Sequence, residues 1–162
     1  MTESYAFNTS VIEEFRANAG KVTQAAGGVL SKLDLLIIHH VGCHSGKEYL
    51  TPVSYMRFEG DYQLVGSFAG SPVEPQWVAN VEAMEELDLE FGDRTVRVTS
   101  SVFREGPEWK RLYGAAVAHW PFVEEDYARK TTRTFPVIRL SPVGAPGSAA
   151  QEHSWAEPTC RR

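Results

Sequence analysis

Apolar residues in this chain come in short runs broken by glycine, proline and charge, and the period of each run predicts its element. Val11, Ile12 and Phe15 share one helical face, with Asn8, Thr9 and Ser10 as candidate N-caps and Gly20 as a stop. Residues 20–32 are rich in Gly, Ala and Ser and read as a loop. Residues 33–41 are an Ile- and Leu-rich run of strand length, buried on both faces. A turn at 42–46 leads to a strand at 49–58. Glu59-Gly60-Asp61 then turns into a strand at 61–68, so this pair reads as a hairpin. Pro75 suits a first helical turn, and Trp77, Val78, Val81 and Met84 make the stripe of that helix. Leu87, Leu89 and Phe91 alternate, Gly92-Asp93 turns, and Val96, Val98 and Ser100 alternate again, which predicts a second hairpin. Pro107 opens a helix carrying Trp109, Leu112, Tyr113, Ala116, Val117 and Trp120 at helical spacing. A short helix over 126–131 and a strand at 135–140 complete the pattern.

Strands are thus expected at 33–41, 49–58, 61–68, 86–91, 94–103 and 135–140. Their tight connections are hairpins, which points to an α+β chain with a mostly antiparallel, barrel-like sheet and packing helices. One domain over 1–142 is expected. Residues 143–162 are Pro, Gly, Ala and charge with one large apolar group, Trp155, and are expected to be a disordered tail.

Composition narrows the picture a little. A length of 162 residues with 43% hydrophobic content suits one domain with its own core. A formal charge of −5 argues against a nucleic-acid surface. Two cysteines, Cys43 and Cys160, are too few for a disulfide framework, and a reducing, cytoplasmic setting is expected. The N-terminus does not read as a signal peptide, and no apolar stretch is long enough to span a bilayer. The sequence leaves a homodimer open.

Four features carry candidate chemistry. His39, His40 and His44 with Cys43 are ligand types for zinc, yet adjacent strand residues face opposite ways, so no metal site is expected. The turn at 42–47, with Ser45, Gly46 and Lys47, resembles a phosphate loop without its spacing; such a turn presents amides to an anion or simply connects strands. The loop Ser67-Phe68-Ala69-Gly70 combines small residues with an aromatic and allows a planar ligand to approach, or merely joins strand to helix. Trp120, Phe122 and Tyr127 either fill the core or roof a pocket.

Taken together, and over residues 11–142, the chain resembles the deazaflavin (F420)-dependent nitroreductase family. The residues that carry the likeness are the run 11–18, Leu35-Leu36, Gly42 with Ser45-Gly46-Lys47, Thr51-Pro52, Ser67 with Gly70, and Pro75 with Trp77 and Asn80. Trp120-Pro121-Phe122, Tyr127, the run 129–131, Arg133 and Pro136-Val137 close it. The resemblance implies a split β-barrel that binds coenzyme F420 and passes its hydride to a small planar acceptor: a quinone, nitro compound, activated alkene or natural-product intermediate. It implies cofactor contacts from His44, Ser45, Gly46, Lys47, Tyr49, Pro52, Phe68, Gly70, Trp77 and Asn80, and a substrate side built by Tyr127, Trp120 and Ser67. The chain departs from the family at Cys43, His44, Tyr49 and Phe68, where basic residues are usual. Each lost charge-assisted contact is worth roughly 1.5–3 kcal/mol. The segment between Pro121 and Tyr127 is also one residue longer.

Two functions follow. The first is an F420H2-dependent reductase with a modified anion grip, which Ser45-Gly46-Lys47, Ser67, Trp77 and Asn80 favour. The second is a cofactor-independent split barrel that isomerises, cyclises or binds an apolar small molecule, which the flat surfaces of Tyr49 and Phe68 favour.

Overall fold

The computed structural model describes residues 2–143; the expected tail lies outside them, apart from Val143. The described chain comprises α1 (Thr2–Ala17), β1 (Leu35–Val41), β2 (Glu48–Ser54), β3 (Met56–Phe58), β4 (Asp61–Val65), α2 (Gln76–Glu82), β5 (Glu86–Glu90), β6 (Thr95–Phe103), α3 (Gly106–His119) and β7 (Val137–Pro142). All strands join one antiparallel sheet in the order β2-β1-β5-β6-β7-β4-β3. Its two edge strands, β2 and β3, are separated by Tyr55 alone. A sheet whose opposite edges are neighbours in the chain must curl on itself, so the antiparallel barrel read from the sequence is what forms.

That bend corrects one expectation. Residues 49–58 are not one strand of a hairpin with 61–68: β2 pairs with β1 and only β3 pairs with β4. At the corner, the Tyr55 N–H donates to the Asp34 carbonyl at 3.0 Å. β4 stops at Val65, and residues 68–70 form a 3-10 turn.

The helix expected to start at Asn8–Ser10 starts at Thr2 instead. Ser10 does not cap it; its hydroxyl donates to the Phe7 carbonyl at 3.0 Å, a back-bond available inside a helix. Gly20, at φ +91°, ends the segment as expected, its N–H reaching the Phe15 carbonyl at 2.8 Å.

Alternation along β1 divides the core. Leu36 and Ile38 face the barrel interior with Leu64, Leu89, Ile138 and Leu140, and α2 closes that end with Val78 and Val81. Leu35 and Ile37 face outward under Val11 and Phe15 of α1. On the far side, α3 brings Ala116 against Met56, Trp120, Val123 and Phe135. Phe15, Leu36, Ile37, Ile38, Leu64 and Leu89 are fully enclosed. Burying one such side chain stabilises the fold by roughly 1.5–3 kcal/mol, so the platform under the turns is rigid. Among the described residues, no helix is long and apolar enough to cross a membrane.

Candidate functional site

β1 ends at Val41 and the chain reverses through 42–47 into β2. The turn closes on itself: the Gly42 N–H donates to the Lys47 carbonyl at 2.8 Å and the Gly46 N–H to the Gly42 carbonyl at 2.8 Å. The Lys47 N–H reaches Ser45 Oγ at 3.3 Å, and the Cys43 N–H reaches Asn80 Oδ1 at 3.0 Å. Four of the turn's amides are therefore committed within the protein. Of the two readings of this turn, that favours the strand connector over the amide cradle; the side chains of His44, Ser45 and Lys47 are exposed.

Gly42 is needed here for space. A Cβ at this position would lie 2.4 Å from Ser45 Oγ and 3.0 Å from Tyr49 Cε2. The Tyr49 ring occupies that gap, stacks on His40 with centroids 5.6 Å apart, and leaves 43% of its surface open. Pairing explains the contact, because His40 lies directly opposite Tyr49. Pro52 pairs with Ile37 and projects to the α1 face, so it does not join Tyr49 at one surface, contrary to its expected place in the site.

The same alternation splits the histidines. His39 meets Glu90 at 3.0 Å, and Glu90 also takes Arg16 at 2.8 Å. His40 points inward to Thr51 and Asn80. Hydrogen bonds from Arg16 and His39 hold the Glu90 carboxyl below the usual range, against the opposing effect of burial.

The second segment of the site, 66–71, is wound left-handed. Phe68, Ala69 and Gly70 have φ of +46°, +52° and +84°. Two of them are not glycine, and a left-handed non-glycine residue costs roughly 1–2 kcal/mol. Arg133 holds the corner: its guanidinium donates to the carbonyls of Ser71 at 2.8 Å, Gly66 at 3.1 Å and Ser67 at 2.8 Å, and it lies over the Phe135 ring at 4.8 Å. Ser67 at φ −77°, ψ −30° followed by left-handed Phe68 is the αR-αL pair that turns successive N–H groups to one concave side. Phe68 itself is 55% exposed. Gly70 packs against the Tyr127 carbonyl and Lys130.

Helix α2 ties the two segments together. Its Asn80 holds the Cys43 amide, and its Val78 abuts Gly66. Trp77 packs half-buried onto the interior cluster. Tyr127 is also half-buried, edge-on to Phe122 at 5.3 Å and beneath the Lys130 ammonium at 5.4 Å. Trp120 is 5% exposed inside the α3 cluster, so its expected place facing a substrate gives way to a place in the core. In the sequence, Arg133 stands out only as part of the resemblance, and His40 only among the zinc-ligand types that strand alternation separates. Neither the arginine's loop contacts nor the His40–Asn80 contact leaves a local signal, since their partners lie 40 or more positions away.

The donor set fits a flat, anionic ligand. Such a ligand would find the exposed Lys47 ammonium and Ser45 hydroxyl at one turn, the concave amides of 67–69 at the other segment, and exposed ring faces on Phe68 and Tyr49.

The family description "F420H(2)-dependent quinone reductase" matches residues 11–142. An F420H(2)-dependent quinone reductase of Mycobacterium tuberculosis (strain ATCC 25618 / H37Rv) is 27% identical over 114 residues, covering 65% of this chain and 72% of that protein. The solved structure of an F420-H2 dependent reductase, FDR-A, superposes with a TM-score of 0.57 at 30% identity, over 66% of this chain and 93% of that one. A further solved structure, described as a domain-swapped dimer, gives a TM-score of 0.58 at 27% identity, over 86% of this chain and 98% of that chain.

Proposed function

Because the chain belongs to the F420H(2)-dependent quinone reductase family, we propose that it binds reduced coenzyme F420 and directs its hydride to a quinone or a similarly flat acceptor. The observation that carries this reading is the family match over residues 11–142, and the exposed Lys47 and Ser45 of the 42–47 turn support it. When bound, the coenzyme supplies the hydride from its deazaflavin ring.

The chain's own residues bind and orient. The Lys47 ammonium, the Ser45 hydroxyl and His44 take the phosphate and acidic tail. The concave amides at Ser67 and Phe68 supply donors without further charge. Phe68 and Tyr49 offer ring faces for stacking where the family more often has cations, a trade of charge for flat contact. Gly70, Trp77 and Asn80 shape and hold the loops around them. Tyr127 and Ser67 face the acceptor, while Trp120 supports Tyr127 from within the α3 cluster. The alternative of a cofactor-free pocket rests on Tyr49 and Phe68 alone, and both are compatible with stacking on a deazaflavin. A cytoplasmic enzyme is the setting we infer. A homodimer is supported by the 27% identical neighbour described as a domain-swapped dimer.

Titrating coenzyme F420 with the protein, followed by coenzyme fluorescence, tests the reading. Saturable binding is expected, weakened about tenfold by Lys47→Ala, which removes a full charge from the turn. Folded protein that leaves the signal unchanged would overturn it.

A further inference from the structure

We propose that His40 is a positioning residue for the 42–47 turn: a neutral ring, protonated on Nε2, that fixes the Asn80 amide and through it the Cys43 backbone. The proposal rests on the cofactor reading above and names what holds that site in shape.

The chain of contacts has a defined direction. The Cys43 backbone N–H can only donate, and it meets Asn80 Oδ1 at 3.0 Å. The Gln76 amide nitrogen approaches the same oxygen at 3.4 Å. Those two donors fix which end of the Asn80 amide faces the turn. Its Nδ2 then faces His40 Nδ1 at 3.0 Å, and since Nδ2 donates, Nδ1 must accept. The ring proton therefore sits on Nε2, which donates to Thr51 Oγ1 at 2.8 Å. Every ring nitrogen is satisfied in one tautomer only.

Burial enforces the neutral form. His40 is 5% exposed and Asn80 2% exposed. Tyr49 from β2 and Asn80 from α2 face the ring, and His39, next along β1, opposes a charge on it. Loss of hydration is the main reason the ring titrates only at about 4. A proton on Nδ1 would put two donors face to face. Asn80 would have to rotate, and its NH2 would then confront the Cys43 N–H. The turn would lose the bond from the Cys43 N–H to Asn80 of α2, beside the residues that grip the anion.

The test has arms that do not depend on turnover. Ring 15N spectra of the wild-type protein at neutral pH should show His40 neutral and protonated on Nε2; a proton on Nδ1 overturns the proposal without any variant. His40→Phe keeps a flat ring beside Tyr49 and removes both nitrogens. His40→Asn returns a carboxamide oxygen near the Nδ1 position. In His40→Phe, protection of the Cys43 amide from hydrogen exchange should drop at least tenfold, and the Kd for coenzyme F420 should rise about tenfold. His40→Asn should recover most of both. A folded His40→Phe protein with its Cys43 amide still protected, or no recovery in His40→Asn, refutes the role. If the wild type binds no coenzyme, the functional reading fails, while the tautomer and exchange arms still decide the role of His40.

Discussion

Removing Arg133 should unlock the left-handed corner at residues 68–70. The guanidinium makes three hydrogen bonds, to the carbonyls of Gly66, Ser67 and Ser71. Ser67 and Ser71 are half-buried and recover water at small cost, whereas Gly66 is buried and its carbonyl would be stranded. A stranded buried acceptor costs about 1–3 kcal/mol. Part is returned, because burial already disfavours the charged arginine, as its lowered pKa shows. Relaxation of Phe68 and Ala69 out of the left-handed region returns some more. The net expectation for Arg133→Met is a loss of about 2 kcal/mol, or roughly 6 °C in Tm. A double-mutant cycle isolates the mechanism. Ala69→Gly alone should stabilise by about 0.5–1 kcal/mol, since glycine meets φ +52° without strain but costs more backbone entropy. In the Arg133→Met background that gain should shrink by at least half, because the corner is no longer held. Urea unfolding of the four proteins gives all the terms. Full additivity, or an Arg133→Met protein as stable as the parent, would refute the argument that Arg133 pins a strained loop.

Other outcomes follow from the same geometry. Lys47→Ala should leave Tm unchanged, because Lys47 is exposed, while weakening coenzyme binding about tenfold in a fluorescence titration. Phe68→Lys combined with Tyr49→Arg should tighten that binding by restoring cations beside the anion, a gain that added salt diminishes. Stability should fall as pH drops from 6.5 to about 4, because unfolded His40 takes up a proton that the folded ring refuses. The cost reaches roughly 3 kcal/mol at the acid end, and His40→Asn should abolish that part of the slope in urea midpoints measured across the range. Below that window a second loss is expected as Glu14 is protonated. Its carboxyl is held down to about 2 chiefly by the Thr23 and Ala25 backbone N–H groups, and Glu14→Gln should remove the low-pH slope.

Much of the fold was legible because the apolar period was clean. Leu87, Leu89 and Phe91 against Val96 and Val98 announced the β5–β6 hairpin, and Leu112 and Ala116 announced the buried stripe of α3. The bend at Tyr55 was not legible, since alternation continues across it and only pairing partners reveal that one run serves both edges of the sheet. Asn8, Thr9 and Ser10 suggested a helix start because such residues cap well, yet Ser10 satisfies its hydroxyl inside the helix. The site was partly legible. Lys47, Ser45, Phe68 and Tyr49, which the resemblance assigned to the cofactor, are exposed. Trp120 and Pro52 were misplaced: helical spacing does not distinguish a core face from a pocket wall, and a likeness in sequence does not state which side of a strand a residue takes. The bonds of His40 to Asn80 and of Arg133 to the 66–71 loop are products of tertiary packing alone.

The central claim is most directly tested by mixing reduced coenzyme F420 with the protein and a soluble quinone without oxygen, and following the return of oxidised-coenzyme absorbance. The rate should depend on the protein, saturate in coenzyme, fall with Lys47→Ala, and recover in that variant when more coenzyme is added. A rate equal to that of the protein-free mixture, from protein shown to be folded, would contradict it.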